Sequence, residues 1–126
     1  MRVFINKWFS KFAQRHAIGG NVLLDAVRRA VSGLIDADLG GGVIKQRIAR
    51  RNEGKSGGFR TMLFFKRGDR GFFVFGFAKN ESDNISHEEL VALKKAAARV
   101  LELSEKELNA ECAAGAWIEL TDGKEI

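Results

Sequence analysis

The apolar positions change period partway along the chain. Val3, Phe4 and Ile5 form a short run suited to a strand. Lys7–His16 then sets Trp8, Phe9, Phe12 and Ala13 at helical spacing, with Lys7, Lys11 and Arg15 pointing outward. Gly19-Gly20 interrupts this helix. From Asn21 to about Asp36, the residues Val22, Leu23, Ala26, Val27, Ala30, Val31, Leu34 and Ile35 recur in an i, i+1, i+4, i+5 pattern. That pattern predicts a long amphipathic helix, with Asn21 as its N-cap and Arg28 and Arg29 facing water. Gly40-Gly41-Gly42 predicts a turn.

Beyond this turn the period falls to two. Val43–Ile48 places Ile44 and Ile48 on one face and Lys45 and Arg47 on the other. A polar loop is expected over 50–58. Phe59–Lys66 and Phe72–Lys79 are aromatic-rich runs around a Gly-containing turn, the pattern of a β-hairpin. Their phenylalanines are expected chiefly in the core, with base stacking as the lesser alternative. Ser86-His87-Glu88-Glu89 is a capping box for a helix carrying Leu90, Leu93, Ala97, Val100 and Leu101. Ser104 and Glu107 repeat the signature for a shorter acidic helix, and Ala116–Leu120 alternates like an edge strand. The order β-α-α-β-β-β-α predicts an α+β fold, with two helices on one side of a mainly antiparallel sheet and a C-terminal helix. A single domain is expected over 1–126, with its core at about 1–105 and a C-terminal extension at about 106–126.

Length agrees, since 126 residues fit one domain. No apolar run spans a bilayer and no secretory h-region precedes the first helix, so a cytoplasmic protein without membrane partners is expected. One cysteine, Cys112, leaves no intrachain disulfide and no cysteine-based zinc site, and it is expected as a small half-buried hydrophobe.

Charge changes the picture more than length does. The net charge is +5, yet residues 43–79 alone carry ten Lys/Arg against Glu53 and Asp69, while residues 80–126 carry five bases against eleven acids. A basic block on the most β-like stretch points to a polyanion, nucleic acid before any other.

Most catalytic schemes lack their residues. Gly54-Lys55-Ser56 suggests a phosphate loop, but Ala49 stands where the leading glycine belongs and a strand follows in place of a helix. The glycines can still bring backbone N–H groups to a phosphate while Lys55 supplies charge. His16 lies at a helix end and His87 in a capping box, neither with a catalytic partner. The basic block holds no carboxylate pair, and no metal or other cofactor is expected. What remains is a set of cations on adjacent strands: Lys45, Arg47, Arg60, Lys66 and Lys79. Such a set can bind a phosphodiester and stabilise the charge that develops at the transition state. RNA supplies its own nucleophile, the 2′-OH, and clustered cations favour a neutral lysine as base.

Two motifs carry a family resemblance. Gly54-Lys55-Ser56-Gly57-Gly58-Phe59-Arg60, followed by Gly76-Phe77-Ala78-Lys79-Asn80-Glu81-Ser82-Asp83-Asn84-Ile85, resembles the RelE/ParE superfamily of type II toxin–antitoxin toxins, nearest its RelE/HigB-like branch. The resemblance covers roughly 1–105. It implies a small α+β mRNA endoribonuclease acting on ribosome-bound mRNA and held by a cognate antitoxin, expected to be of helix-turn-helix type. It further implies catalytic roles for Lys45, Arg47, Arg60 and Lys79, with Lys45 as base and Arg60 on the scissile phosphate. Lys55, Ser56, Lys66, Arg67, Arg70 and Asn80 complete the expected RNA-binding set. Better-known members place an Arg after the position of Lys79 and a Tyr further on. Asn80 follows here and the chain has no Tyr, so the acid falls to Lys55 or Arg60. A ParE-like gyrase inhibitor and a non-catalytic RNA- or ribosome-binding module are the alternatives.

Overall fold

A computed structural model describes residues 1–50, 54–79 and 85–121, with 50 and 54–57 as backbone. In chain order the elements are β1 (Arg2–Ile5), α1 (Lys7–Arg15), α2 (Gly20–Val31), β2 (Ala37–Gly40), β3 (Val43–Arg50), β4 (Gly54–Lys66), β5 (Arg70–Ala78), α3 (His87–Val100), α4 (Glu105–Ala113) and β6 (Ile118–Leu120). The six strands form one sheet in the order β2-β3-β4-β5-β1-β6. Among the described strands only β1 and β5 pair in parallel. The α+β architecture is therefore the expected one, with β2 as an addition.

Local chemistry sets most boundaries. Asn6 starts α1: its Oδ1 accepts the Phe9 N–H at 2.7 Å and its amide donates to the Val74 carbonyl at 3.2 Å. Ser86 and Ser104 form full capping boxes with Glu89 and Glu107. The second helix departs from expectation at both ends. Gly19 is its N-cap, with no side-chain bond, and Asn21 lies inside the first turn. It stops at Val31 because Gly33 turns the chain at φ +91°, which leaves Leu34 64% exposed and frees the following residues to form β2. Strand β4 begins at Gly54, so the expected loop over 50–58 shortens; residues 51–53 lie outside the described set.

Both faces of the sheet are covered. Under α1 and α2, Val3, Ile5, Ile44, Ile48, Phe59, Leu63 and Phe73 join Phe9, Phe12, Leu23 and Val27. Under α3 and α4, Phe4, Val43, Met62, Phe64 and Phe72 join Ala97, Val100, Leu108 and Trp117. The expected extension thus adds Leu108 and Trp117 to the second core and pairs β6 with β1. Burying each of these large side chains contributes roughly 2–3 kcal/mol.

Candidate functional site

The site is built on β3, whose alternation sends Ile44, Gln46 and Ile48 to the α1/α2 face and Lys45 and Arg47 to the α3 face. Gln46 is fully buried and every one of its polar groups is used. Its amide donates to the carbonyls of Ala26 at 3.0 Å and Leu34 at 3.1 Å, and its Oε1 accepts the Asp36 N–H at 2.8 Å. β2 ends before Arg47, so side chains finish the strand edge there. Asp36 Oδ2 accepts the Arg47 N–H at 2.7 Å, and Arg29 donates to the Arg47 carbonyl at 2.9 Å. Arg29 therefore turns back onto the sheet rather than facing water.

The register then aligns side chains in two rows on the α3 face. Arg47 of β3 opposes Arg60 of β4, which opposes Phe77 of β5. One step along, Lys45 opposes Met62, which opposes Phe75. Arg47 is exposed, Lys45 is half-buried and Arg60 is only 7% exposed. Like charges directly opposite across antiparallel strands cost stability.

The other expected residues divide between two ends of the sheet. Lys79 is exposed one residue past β5, its N–H donating to the Gly58 carbonyl at 3.1 Å, which puts it beside the Arg60 end of β4. Lys55 and Ser56 lie on the backbone of β4, upstream of Arg60, and Asn80 lies outside the described residues. Lys66, Arg67 and Arg70 sit at the opposite end of the hairpin, roughly 20 Å along the strand from Arg60. Arg67 is exposed in the turn, and Lys66 pairs with Asp69 at 3.6 Å and Glu102 at 3.7 Å.

Arg70 is engaged within the fold. It is 5% exposed, donating to the Leu103 carbonyl at 2.7 Å and the Val100 carbonyl at 3.4 Å, and pairing with Asp69 and Glu105. It closes the C-terminal end of α3, where exposed carbonyls attract a cation.

On the opposite face, a cleft of about 410 Å³ is lined by His16, Ile18, Val22, Ile48 and Phe59. The His16 ring packs against Phe12 and Phe59 at 4.7 and 4.9 Å, so it is a half-buried aromatic neighbour of the core. Among the described residues no group of three or more His, Cys, Asp or Glu is placed to hold a metal ion. No helix among them is long and apolar enough to cross a membrane. Burial pushes the half-buried Cys112 thiol up from its ordinary value. Gln46 escaped the sequence reading, although a lone polar residue on the apolar face of an alternating strand was its signal.

Two helices over one face of a largely antiparallel sheet, and a C-terminal helix over the other, make a RelE-like α+β domain. A family model described as the RelE toxin of the RelE/RelB toxin-antitoxin system matches residues 1–120. The chain belongs to this RelE family, whose toxins act opposite a cognate antitoxin. The match takes in α4 and β6, past residue 105, where the sequence resemblance stopped. A search of curated proteins finds no match.

Proposed function

We propose that this toxin is an mRNA endoribonuclease that blocks translation by cutting RNA bound across β3, β4 and β5. The observation that carries this reading is the Arg47–Arg60 register, with Lys45 one step along the same face. A phosphodiester laid on that face brings two negative oxygens within reach of both guanidinium groups, which can hold it by charge-assisted hydrogen bonds. Lys45 takes the proton of the ribose 2′-OH. The new 2′-O–P bond forms as the P–O5′ bond breaks, leaving a 2′,3′-cyclic phosphate. The departing 5′ oxygen takes a proton from the Lys79 ammonium, which stands exposed beside the Arg60 end of β4, in place of the Lys55 or Arg60 expected from the sequence. The arginines hold the extra charge of the five-coordinate phosphorus, the kind of preorganised stabilisation that contributes most to such a step. Arg60, mostly covered, acts as the floor of the grip, and Arg47 is its accessible arm. A helix-turn-helix antitoxin and ribosome-bound mRNA are the partners, in the cytoplasm.

The test is primer extension on cellular mRNA after brief induction. Specific new 5′ ends that vanish in Lys45→Ala and Arg47→Ala support cleavage. Loss of plasmid supercoiling without new ends supports the gyrase target, and growth arrest with neither supports a non-catalytic binding module.

A further inference from the structure

The aromatic end of the two rows lies at a sheet edge that the strands leave unfinished. β1 pairs with β5 as far as Phe73, so among the described residues β5 from Val74 to Ala78 has no strand on that side. Helix α1 fills the gap. Trp8 stacks on Phe75 at 4.8 Å with an interplanar angle of 29°, and on Phe12 at 5.4 Å and 13°. Phe75 in turn contacts Phe77 at 6.2 Å. Sequence periodicity places Trp8 on the buried side of α1, yet it is 42% exposed. Two ring contacts hold the indole in one position while much of it remains in water. A residue needed only to cover a strand edge gains by being buried, whereas a fixed, exposed indole is suited to receiving another π-system.

The surroundings say which one. Lys7, Lys11 and Arg15 are all exposed on α1, and this helix contains no acidic residue. Lys45, Met62 and Phe75 lie in one cross-strand row, so the lysine and the phenylalanine are two strand spacings apart, roughly 10 Å. Cations on one side, a rigid aromatic at the far edge and more cations beyond it make a track for a single strand: phosphates on the basic groups, a base on the ring.

We propose that Trp8, backed by Phe75, is a base-stacking platform for single-stranded RNA running from the Lys45–Arg47–Arg60 cluster past Phe75 of β5 onto α1. This rests on the RNA-cleaving reading above and assigns the RNA a direction and a contact outside the cutting centre. Stacking reads no sequence, because every base has a π-face, so Trp8 fixes where a base lies rather than which base it is.

The test uses the full chain and a short single-stranded 2′-O-methyl RNA, which has no 2′-OH to attack, beside an oligomer of the same length with abasic positions. Wild-type protein should bind the base-containing RNA with quenching of tryptophan emission and bind the abasic one more weakly. Trp8→Leu keeps an apolar cover but no ring; it should lose about ten- to hundredfold in affinity for the base-containing RNA and none for the abasic one. Trp8→Phe should recover most of the loss, with thermal melts confirming that all three proteins are folded. Equal binding of the two oligomers by wild type, or undiminished RNA binding by folded Trp8→Leu, overturns the platform. If Trp8→Leu instead weakens only co-purification with the neighbouring gene's product, the indole is a protein contact and the platform is likewise overturned. Failure of wild type to bind either oligomer overturns the RNA-cleaving reading itself, a result distinct from loss of the Trp8 contribution alone.

Discussion

Arg47 and Arg60 stand directly opposite each other on β3 and β4, one exposed and the other almost wholly covered. Removing the exposed member should separate stability from function. Arg47→Ala leaves the backbone bonds to Asp36 and Arg29 in place and removes a side chain that is exposed, so it should cost less than about 1 kcal/mol. Its melting temperature should hold to within a few degrees while RNA affinity falls at least tenfold. A melting temperature several degrees below wild type would show that the pair is structural.

Salt provides a check on the same face. If the cations hold phosphates, the logarithm of RNA affinity should fall linearly with the logarithm of salt concentration, and Arg47→Ala should reduce that slope by about one unit. A slope equal to wild type in that variant would place Arg47 off the RNA path.

Gln46 should behave as a positioning residue. Gln46→Leu is close in size but leaves the Asp36 N–H and the carbonyls of Ala26 and Leu34 without their partner. Stability should fall by about 2–3 kcal/mol in urea titration, the cost of unpaired buried polar groups. In conditions where the variant is folded, cleavage should drop as Lys45 and Arg47 lose their fixed seat. Unchanged stability would mean that β3 does not depend on this anchor.

Two glycines form a matched pair. Gly68 has φ +77° and open space around it, so Gly68→Ala should cost only backbone strain, about 1–2 kcal/mol. Gly42 has φ +84°, and a Cβ there would lie 2.5 Å from the Leu101 Cδ1 on α3. Gly42→Ala should therefore cost clearly more than Gly68→Ala in paired thermal melts. Equal losses would indicate that α3 can give way at this point.

Acid should loosen the C-terminal clasp first. Arg2 donates to both Glu119 oxygens at 2.9 Å and to Glu105 at 2.7 Å. The Glu119 carboxyl is held below the ordinary glutamate range chiefly by its bonds to Arg2, and Glu111 by Arg99 and then by the Trp117 indole N–H. A depressed folded-state pKa contributes stability that is present above the unfolded value, about 4.3, and is lost as pH falls through the folded one. Hydrogen exchange of β6 amides should therefore rise below about pH 4.5, before the β3–β5 amides respond. The groups are partly exposed and solvent screens them, so Arg2→Ala should cost only about 1 kcal/mol at neutral pH while removing most of this acid sensitivity. Simultaneous acid exchange across the whole sheet would contradict the assignment.

What the sequence disclosed followed the range of the interactions involved. The alternation of Ile44, Lys45, Gln46, Arg47 and Ile48 depends on neighbours along one strand, and so does the capping box at Ser86, and both were legible. Leu34 and Ile35 continue a helical pattern that Gly33 breaks, so β2 was hidden behind a misleading period. Arg60 and Arg70 look alike in sequence, the first following Gly58-Phe59 and the second preceding Gly71-Phe72. Only the carbonyls at the end of α3 show that Arg70 is engaged elsewhere. Trp8 follows the apolar stripe of α1, and its exposure depends on β1 stopping short along β5, a distance no local pattern records.

The pairing of β1 with β6 also orders events in time. The bond from Arg2 to Glu119 spans 117 positions, whereas β3, β4 and β5 meet through adjacent hairpins. Closing short loops costs less entropy and proceeds faster than closing one that encompasses nearly the whole chain. The cationic strands can therefore assemble while β1, made first, still waits for both of its neighbours. A growing chain that has not yet released Leu120 can already bring Arg47 and Arg60 into register, while the edge of β1 that β6 will cover stays open to any strand it meets.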